Sequence, residues 1–442
     1  MKRILIYSHD TFGLGNIRRM LEVARHLVQS SPEVSVLVIT GSPMLHAFRI
    51  PPRIDYVKLP CLARNVDGQY GARFLDLSLD ATVRLRANLI RSAITDFAPD
   101  LIVVDKKPFG VEDELSGALV ALQSSAQKPK LVLLLRDILD SPEATTRVWR
   151  KNGCFEAIEA YYDQVLVVGT PEVFDLRREY RFPPFAAAKV SFCGYIARRA
   201  GSRSRADARR DLGVRGDQPL LLVTPGGGED GHALIDACLA GLRALAAPDR
   251  PRTHIVCGPE MAEAQRAAIH AAAAALPQVS VQDFSDDMMS LMAAADVVVA
   301  MGGYNTVCEL LTLRKRAVIV PRTVPSQEQC IRAERMAALG LLTMLHPDRL
   351  TPAALLDAVR TELAGLNGVS TNFNTQPRLK SLNGLQRCTA AIFELIGVQA
   401  AAPAAPVAPA AGLRASPFAL SEAKGRRSAP GFRHAQPERT SC

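Results

Sequence analysis

The chain has few aromatic residues, a single tryptophan, no closely paired cysteines and no long apolar run. Each gap excludes a class of protein. The nine cysteines, at 61, 154, 193, 238, 257, 308, 330, 388 and 442, contain no C-x-x-C pair, which argues against a zinc site or a disulfide scaffold and for reduced thiols. No stretch approaches the roughly eighteen consecutive apolar residues of a spanning helix. The opening MKRILIYSHD returns to charge too soon for an export signal, so a cytoplasmic protein is expected. The net charge is +9, yet no aromatic-basic interleaving, RNA-binding signature or zinc-finger spacing accompanies it, and nucleic acid is not an expected partner.

What is present points to two α/β domains. At 442 residues and 48% hydrophobic content, each domain can hold its own core. Composition divides the chain into a Rossmann-like domain over 1–196, a basic linker over 197–216, a second domain over 217–397 and a tail over 398–442. Seven arginines fall within 197–215, read as linker and a short solvated helix, with a membrane-facing basic patch as the alternative. The Ala/Pro-rich tail carries +4 of the charge and too little apolar surface to offset chain entropy, so disorder is expected there. The remaining +5 suits attraction to an anionic nucleotide-sugar or an anionic membrane face.

The most informative stretch runs from Ala295 to Leu339. A buried strand over Asp296–Met301 leads into Gly302-Gly303, where the missing Cβ lets backbone approach a ligand. Asn305 or Thr306 can cap the next helix, whose free N–H groups suit an anion. Glu309 lies one turn inside it, placed either to bind two sugar hydroxyls or simply to favour the helix dipole. After a second strand, the loop Arg322–Gln329 carries Glu328 and Gln329, able to bond hydroxyls. A second glycine turn, Gly226-Gly227-Gly228, follows the strand Leu220–Val223 and precedes a helix; it reads as an anion nest or as a tight loop needing positive φ.

In the first half, strand Arg3–Ser8 leads into His9-Asp10-Thr11-Phe12-Gly13-Leu14-Gly15-Asn16 and then a helix. The G-x-G is incomplete as a dinucleotide fingerprint and no acid ends the second strand, which rejects NAD. Asp105 and Lys106 end one later strand, Arg136 and Asp137 another, and all four fall on one sheet rim. Arg136 and Asp137 have the alternative of pairing with each other or capping the next helix. Gly68–Gly71 reads as a polar loop.

The order strand, Gly-Gly, helix with early Glu, strand, Gln-bearing loop resembles the donor half of a GT-B glycosyltransferase, most closely the family 28 C-terminal domain of MurG-like enzymes. SHDTFGLGNIRR likewise resembles the opening of MurG-like bacterial glycosyltransferases, where a His usually stands at the position of Asn16. An amide is not a base, so His9 or Asp10 must supply any general base from this loop. The alternative for His9 is a hydrogen-bonded residue at a strand end. The resemblance implies a UDP-sugar donor, with Glu309 on the ribose, Glu328 and Gln329 on the sugar, Gly226–Gly228 near the diphosphate, and Phe284 and Ser285 presenting backbone to the uracil edge. It places the first loop, with Gly13, Gly15 and Asn16, on the cleft between the domains, and the strand-end residues Asp105, Lys106, Arg136 and Asp137 are expected on the same acceptor side from their sheet rim. Two Gln are usual where Glu328-Gln329 stand, which leaves the sugar open. No metal ion or cofactor is expected, since the helix beginning near Gly303 and the triple-glycine turn would stabilise the leaving diphosphate, in keeping with the absence of a D-x-D triplet. The expected activity is sugar transfer to a polysaccharide, lipid-linked or other cell-envelope precursor. The alternatives are a nucleotide-sugar hydrolase or 2-epimerase of the same fold, or a catalytically silent nucleotide-sugar-binding protein.

Overall fold

Short runs of valine, isoleucine and leucine become strands buried on both faces, as in parallel sheets covered by helices. The computed structural model describes residues 1–9, 15–45, 48–64, 69–125, 128–367 and 382–400. In the first half these runs give β1 (Lys2–Ser8), β2 (Val34–Thr40), β3 (Ile54–Lys58), β4 (Leu62–Arg64), β5 (Tyr70–Ala72), β6 (Leu101–Asp105), β7 (Lys130–Arg136), β8 (Gln164–Val168) and β9 (Val190–Phe192). All but β4 and β5 form one parallel sheet, ordered β3-β2-β1-β6-β7-β8-β9. The second half supplies β10 (Leu220–Thr224), β11 (Arg252–Val256), β12 (Val279–Gln282), β13 (Val297–Ala300), β14 (Arg316–Ile319) and β15 (Thr343–Met344). They form a second parallel sheet, ordered β12-β11-β10-β13-β14-β15.

Each sheet reverses its direction of growth beside its first strand, between β1 and β6 and between β10 and β13. Ligands of open α/β sheets gather outside the carboxyl ends of strands at such a reversal. Those ends are Ser8, Asp105, Thr224 and Ala300, so three glycine-bearing turns and the Asp105 rim fall at the two reversals.

Three local expectations need correction. Gln69–Gly71 belongs to an antiparallel hairpin of β4 with β5 rather than a plain loop, although residues 65–68 lie outside the described region. The basic linker does contain the expected short, largely exposed helix, but one side of it is docked. Its helix Arg205–Asp211 buries Ala208, and Arg205 and Arg209 pair with Asp296 while donating to the carbonyls of residues 293–295. Those carbonyls end the helix Met288–Ala294, where cations are favoured. Thirdly, Glu328 and Gln329 open the helix Glu328–Ala338 rather than closing a loop.

The helix Gly384–Ile396 packs on the helix Gly15–Ser30 and against β7 and β8, burying Cys388, Ile392 and Phe393 at one-turn spacing. Val398 is still packed, its N–H bonded to Phe393 O, and the expected tail from 401 onward lies outside the described residues. Residues 1–403 form one compact unit.

The halves meet at a buried polar joint. Arg332, in the Glu328 helix, donates through Nε and Nη2 to both oxygens of Asp137, each at 2.8 Å, and through Nη1 to Gly302 O at 2.8 Å. Tyr195 Oη adds a 2.8 Å bond to Asp137. Tyr304 stacks on Tyr195, lies against the guanidiniums of Arg19 and Arg332, and donates to Val168 O on β8. Burial opposes the Asp137 charge, but Arg332, Tyr195 and the Ile138 N–H hold its carboxyl below the ordinary 3.8.

Asp137→Ala strands a fully buried guanidinium and is expected to cost about 3–5 kcal/mol, measured by equilibrium urea unfolding. A carboxyl depressed in the fold stabilises fully above its unfolded value and loses that contribution as pH falls through its folded one. The acid limb of the melting-temperature profile should therefore be shallower in Asp137→Asn than in the parent.

Candidate functional site

At the end of β1 the backbone turns at His9, which is buried; Asp10 and Gly13 lie outside the described residues. His9 N donates to Asp105 Oδ2 at 3.3 Å, and Arg19 Nη2 to Asp105 Oδ1 at 2.6 Å. The Asn16 amide donates to His9 O at 2.7 Å and accepts from Arg19 at 3.3 Å. Asn16 therefore clips the turn shut at both ends of its side chain. Asp105 is fully buried behind that turn and does not open onto the cleft. Lys106 follows it in left-handed backbone, its N–H bonded to Leu134 O.

Arg136 and Asp137 neither pair with each other nor cap the next helix. Arg136 crosses to Glu328 at 2.6 Å, and Asp137 serves the joint with Arg332. Glu328, expected on a sugar, is instead held between Arg136 and the more distant Arg332 at 3.8 Å.

In the second half the structure brings the two glycine turns together. A Cβ on Gly302 would stand 2.9 Å from Gln329 O, so the close approach there requires glycine. Gly303, not Asn305 or Thr306, caps the helix Tyr304–Leu313, and that helix has neither a side-chain cap nor an acid in its first turn. Asn305 is drawn away because its amide donates to Gly15 O at 3.1 Å and accepts from Arg198. Thr306 Oγ1 lies 3.6 Å from a Cβ built on Gly226. Gly226 and Gly228 have φ of +84° and +98°, so backbone geometry accounts for two of the three glycines. The third, Gly227, abuts the Glu260 carboxylate, which burial and the neighbouring Glu229 and Asp230 push up. Acids this close disfavour a phosphate at that turn. Phe284 is half exposed, and Ser285 accepts from Asp287 N.

Glu309 is 2% exposed and lies 2.7 Å from Arg18 Nη2, across from the first turn of the Gly15 helix. Beside it is a cavity of about 340 Å³ lined by Arg18, Glu22, Arg198, Arg199, Asp286 and Met289. Arg198 is the residue that sequence reasoning missed as an individual. It is 8% exposed, its Nη2 serves Asn305, and its Nε and Nη1 have no hydrogen-bond partner among the described residues. A buried guanidinium with two unpaired N–H groups at an uncapped helix start can hold an anion. Its signal was the arginine run at 197–215, in which single roles are hard to separate.

Residues 221–374 match the model of the glycosyltransferase family 28 C-terminal domain. A UDP-N-acetylglucosamine--N-acetylmuramyl-(pentapeptide) pyrophosphoryl-undecaprenol N-acetylglucosamine transferase of Syntrophotalea carbinolica is 34% identical over 33% of this chain, and the match spans only 40% of that relative's length. A protein of the same name from Acetivibrio thermocellus is 25% identical over 86% of this chain and 94% of its own. The crystal structure of MurG from Acinetobacter baumannii shares the fold, with a TM-score of 0.56 and 15% identity over 89% of this chain and 100% of that one. The chain has the GT-B fold of two Rossmann-like halves, is similar to MurG-type transferases over most of its length, and in its second half matches the glycosyltransferase family 28 C-terminal domain.

Proposed function

We propose that the protein is a glycosyltransferase that takes a sugar from a UDP-sugar and passes it to an acceptor held by the first half, residues 1–196, with 217–397 as the donor half. The observation that carries this reading is Arg198, a buried guanidinium with unsatisfied N–H groups beside the uncapped start of the Tyr304 helix. A leaving diphosphate carries the charge that this arrangement lacks, and stabilising it lowers the barrier to transfer. In this reading Glu309 takes the ribose hydroxyls and Gln329 the sugar, and Phe284-Ser285 presents backbone to the base. The triple-glycine turn beside Glu260 suits hydroxyls better than phosphate. Guanidinium and helix amides neutralise the leaving group, and the reading calls for no metal ion. His9 is the general base at the acceptor side, with Asp10 as the other candidate.

The acceptor in this reading is a lipid-linked precursor, supported by the similar transferases, which act on a pyrophosphoryl-undecaprenol. Peripheral membrane contact is supported by one surface. Phe74, Leu75 and Leu77 are exposed after β5, beside Leu85 and Leu89 on the outer face of the helix Leu79–Phe97. Arg73, stacked over Phe74, and the exposed Arg84 and Arg91 supply positive charge. Among the described residues no helix is long and apolar enough to cross a membrane.

UDP release with and without candidate acceptors tests the activity. Acceptor-dependent release supports transfer; release without acceptor means hydrolysis, and UDP binding with no release means a silent binding protein. Glu309→Ala is expected to weaken UDP binding by about 1–3 kcal/mol by calorimetry, the cost of a charge-assisted hydrogen bond, and unchanged affinity in a folded variant would remove the ribose role. Sedimentation with phosphatidylglycerol vesicles should show binding by the parent and loss of it in the double variant Phe74→Glu, Leu75→Glu. Equal binding by both would sink the membrane surface.

A further inference from the structure

Glu309 has two suitors. In the proposed function its carboxylate receives ribose hydroxyls, yet in the structure it faces Arg18 Nη2 at 2.7 Å. The two groups differ sharply in environment. The Glu309 side chain is 3% exposed, whereas that of Arg18 is 37% exposed and lines the 340 Å³ cavity that it shares with Arg198. The contact is close but poorly aligned, since Glu309 Oε1 accepts no hydrogen bond of good geometry among the described residues. A misaligned pair with one end in solvent has a weak hold. Glu309, by contrast, cannot be left without a partner at that depth.

Arg18 stands apart from the neighbouring arginines in this respect. Arg19 is hydrogen-bonded to Asp105 at 2.6 Å, Arg332 to Asp137 at 2.8 Å and Arg136 to Glu328 at 3.1 Å, each with good alignment. Of these four pairs, the Arg18 pair is the one that joins a buried acid to a substantially exposed base. Both ends lie at the candidate donor site, one on each half.

We infer that Arg18 is an exchange residue for the donor nucleotide. Arg18 occupies Glu309 until ribose hydroxyls replace it, and the displaced guanidinium then turns to the diphosphate alongside Arg198. The site thereby couples two recognitions. A nucleoside alone must break the Arg18–Glu309 pair and offers the freed charge nothing in return. A nucleoside diphosphate breaks the same pair and gives Arg18 an anion, for which a planar guanidinium is well matched. Arg18 thus sets a preference for the diphosphate over the bare nucleoside, while Arg198 supplies standing attraction for phosphate in either case. The inference rests on the ribose assignment of Glu309.

Calorimetric titration of the full chain with uridine and with UDP tests it, using Arg18→Ala, Arg18→Lys and Glu309→Ala. Glu309→Ala is expected to weaken both ligands. Arg18→Ala removes the competitor and should tighten uridine about three- to ten-fold, while the ratio of UDP to uridine affinity falls about ten-fold. Arg18→Lys keeps the charge and should recover most of that ratio, which a purely structural role would not do. If Glu309→Ala weakens both ligands but Arg18→Ala leaves uridine unchanged or weaker, the exchange is overturned and the ribose assignment stands. If Glu309→Ala changes neither ligand, the ribose assignment falls and takes the exchange with it.

Discussion

The bidentate bond between Arg332 and Asp137 is the constraint on which the cleft depends. Both side chains are fully buried, and they come from opposite halves of the molecule. The guanidinium has one remaining arm, and it holds Gly302 O at the glycine turn. The same bond that joins the halves therefore fixes the turn before the Tyr304 helix. Tyr304, the next residue but one, extends the joint by stacking on Tyr195 and bonding Val168 O. Loss of either partner leaves an uncompensated charge in a site where water cannot reach it, so the arrangement persists only complete.

Around that joint the cleft is lined by acids matched with arginines, several of them reaching across. Arg18 meets Glu309, and Arg136 meets Glu328. Arg19 and Asp105 pair within the first half and hold the turn at His9. Arg198 breaks the pattern, pairing with no acid among the described residues and leaving Nε and Nη1 without a hydrogen-bond partner there. This matching keeps charged walls together across a narrow gap. It also means that the residues most easily read as ligand-binding carboxylates are already engaged with protein partners. A ligand of these carboxylates would have to displace an arginine from each.

Much of the fold was legible because it is written locally. The run Val297–Ala300 before Gly302, and Leu220–Thr224 before Gly226, carry β-branched and leucine residues that only a doubly covered strand uses. The glycines mark where those strands turn at the two reversals of strand order. Partners were not legible, because an ion pair between positions some two hundred residues apart, such as Arg136 with Glu328, leaves no periodicity in either segment. The helix cap went wrong for the same reason. Asn305 is a good cap by type, but Gly15 and Arg198 claim its amide, and Gly303 takes the cap position instead. The linker arginines read as solvated from composition, whereas Asp296 and a helix end receive them. The β4 and β5 strands are three residues long, too short to show alternation.

The buried joint also bears on how a cleft of this kind can move. Pulling the halves straight apart exposes or strands two opposite charges and tears Gly302 from its support, a cost of several kcal/mol that thermal motion seldom meets. Rotation about the joint breaks none of these bonds. Asp137, Arg332 and Tyr304 then behave as a fulcrum, and the pairs between the halves that have a solvent-facing arginine, Arg18–Glu309 and Arg335–Glu179, give way before it. Breathing of the crevice is then taken up by those solvent-edged pairs while the joint stays closed.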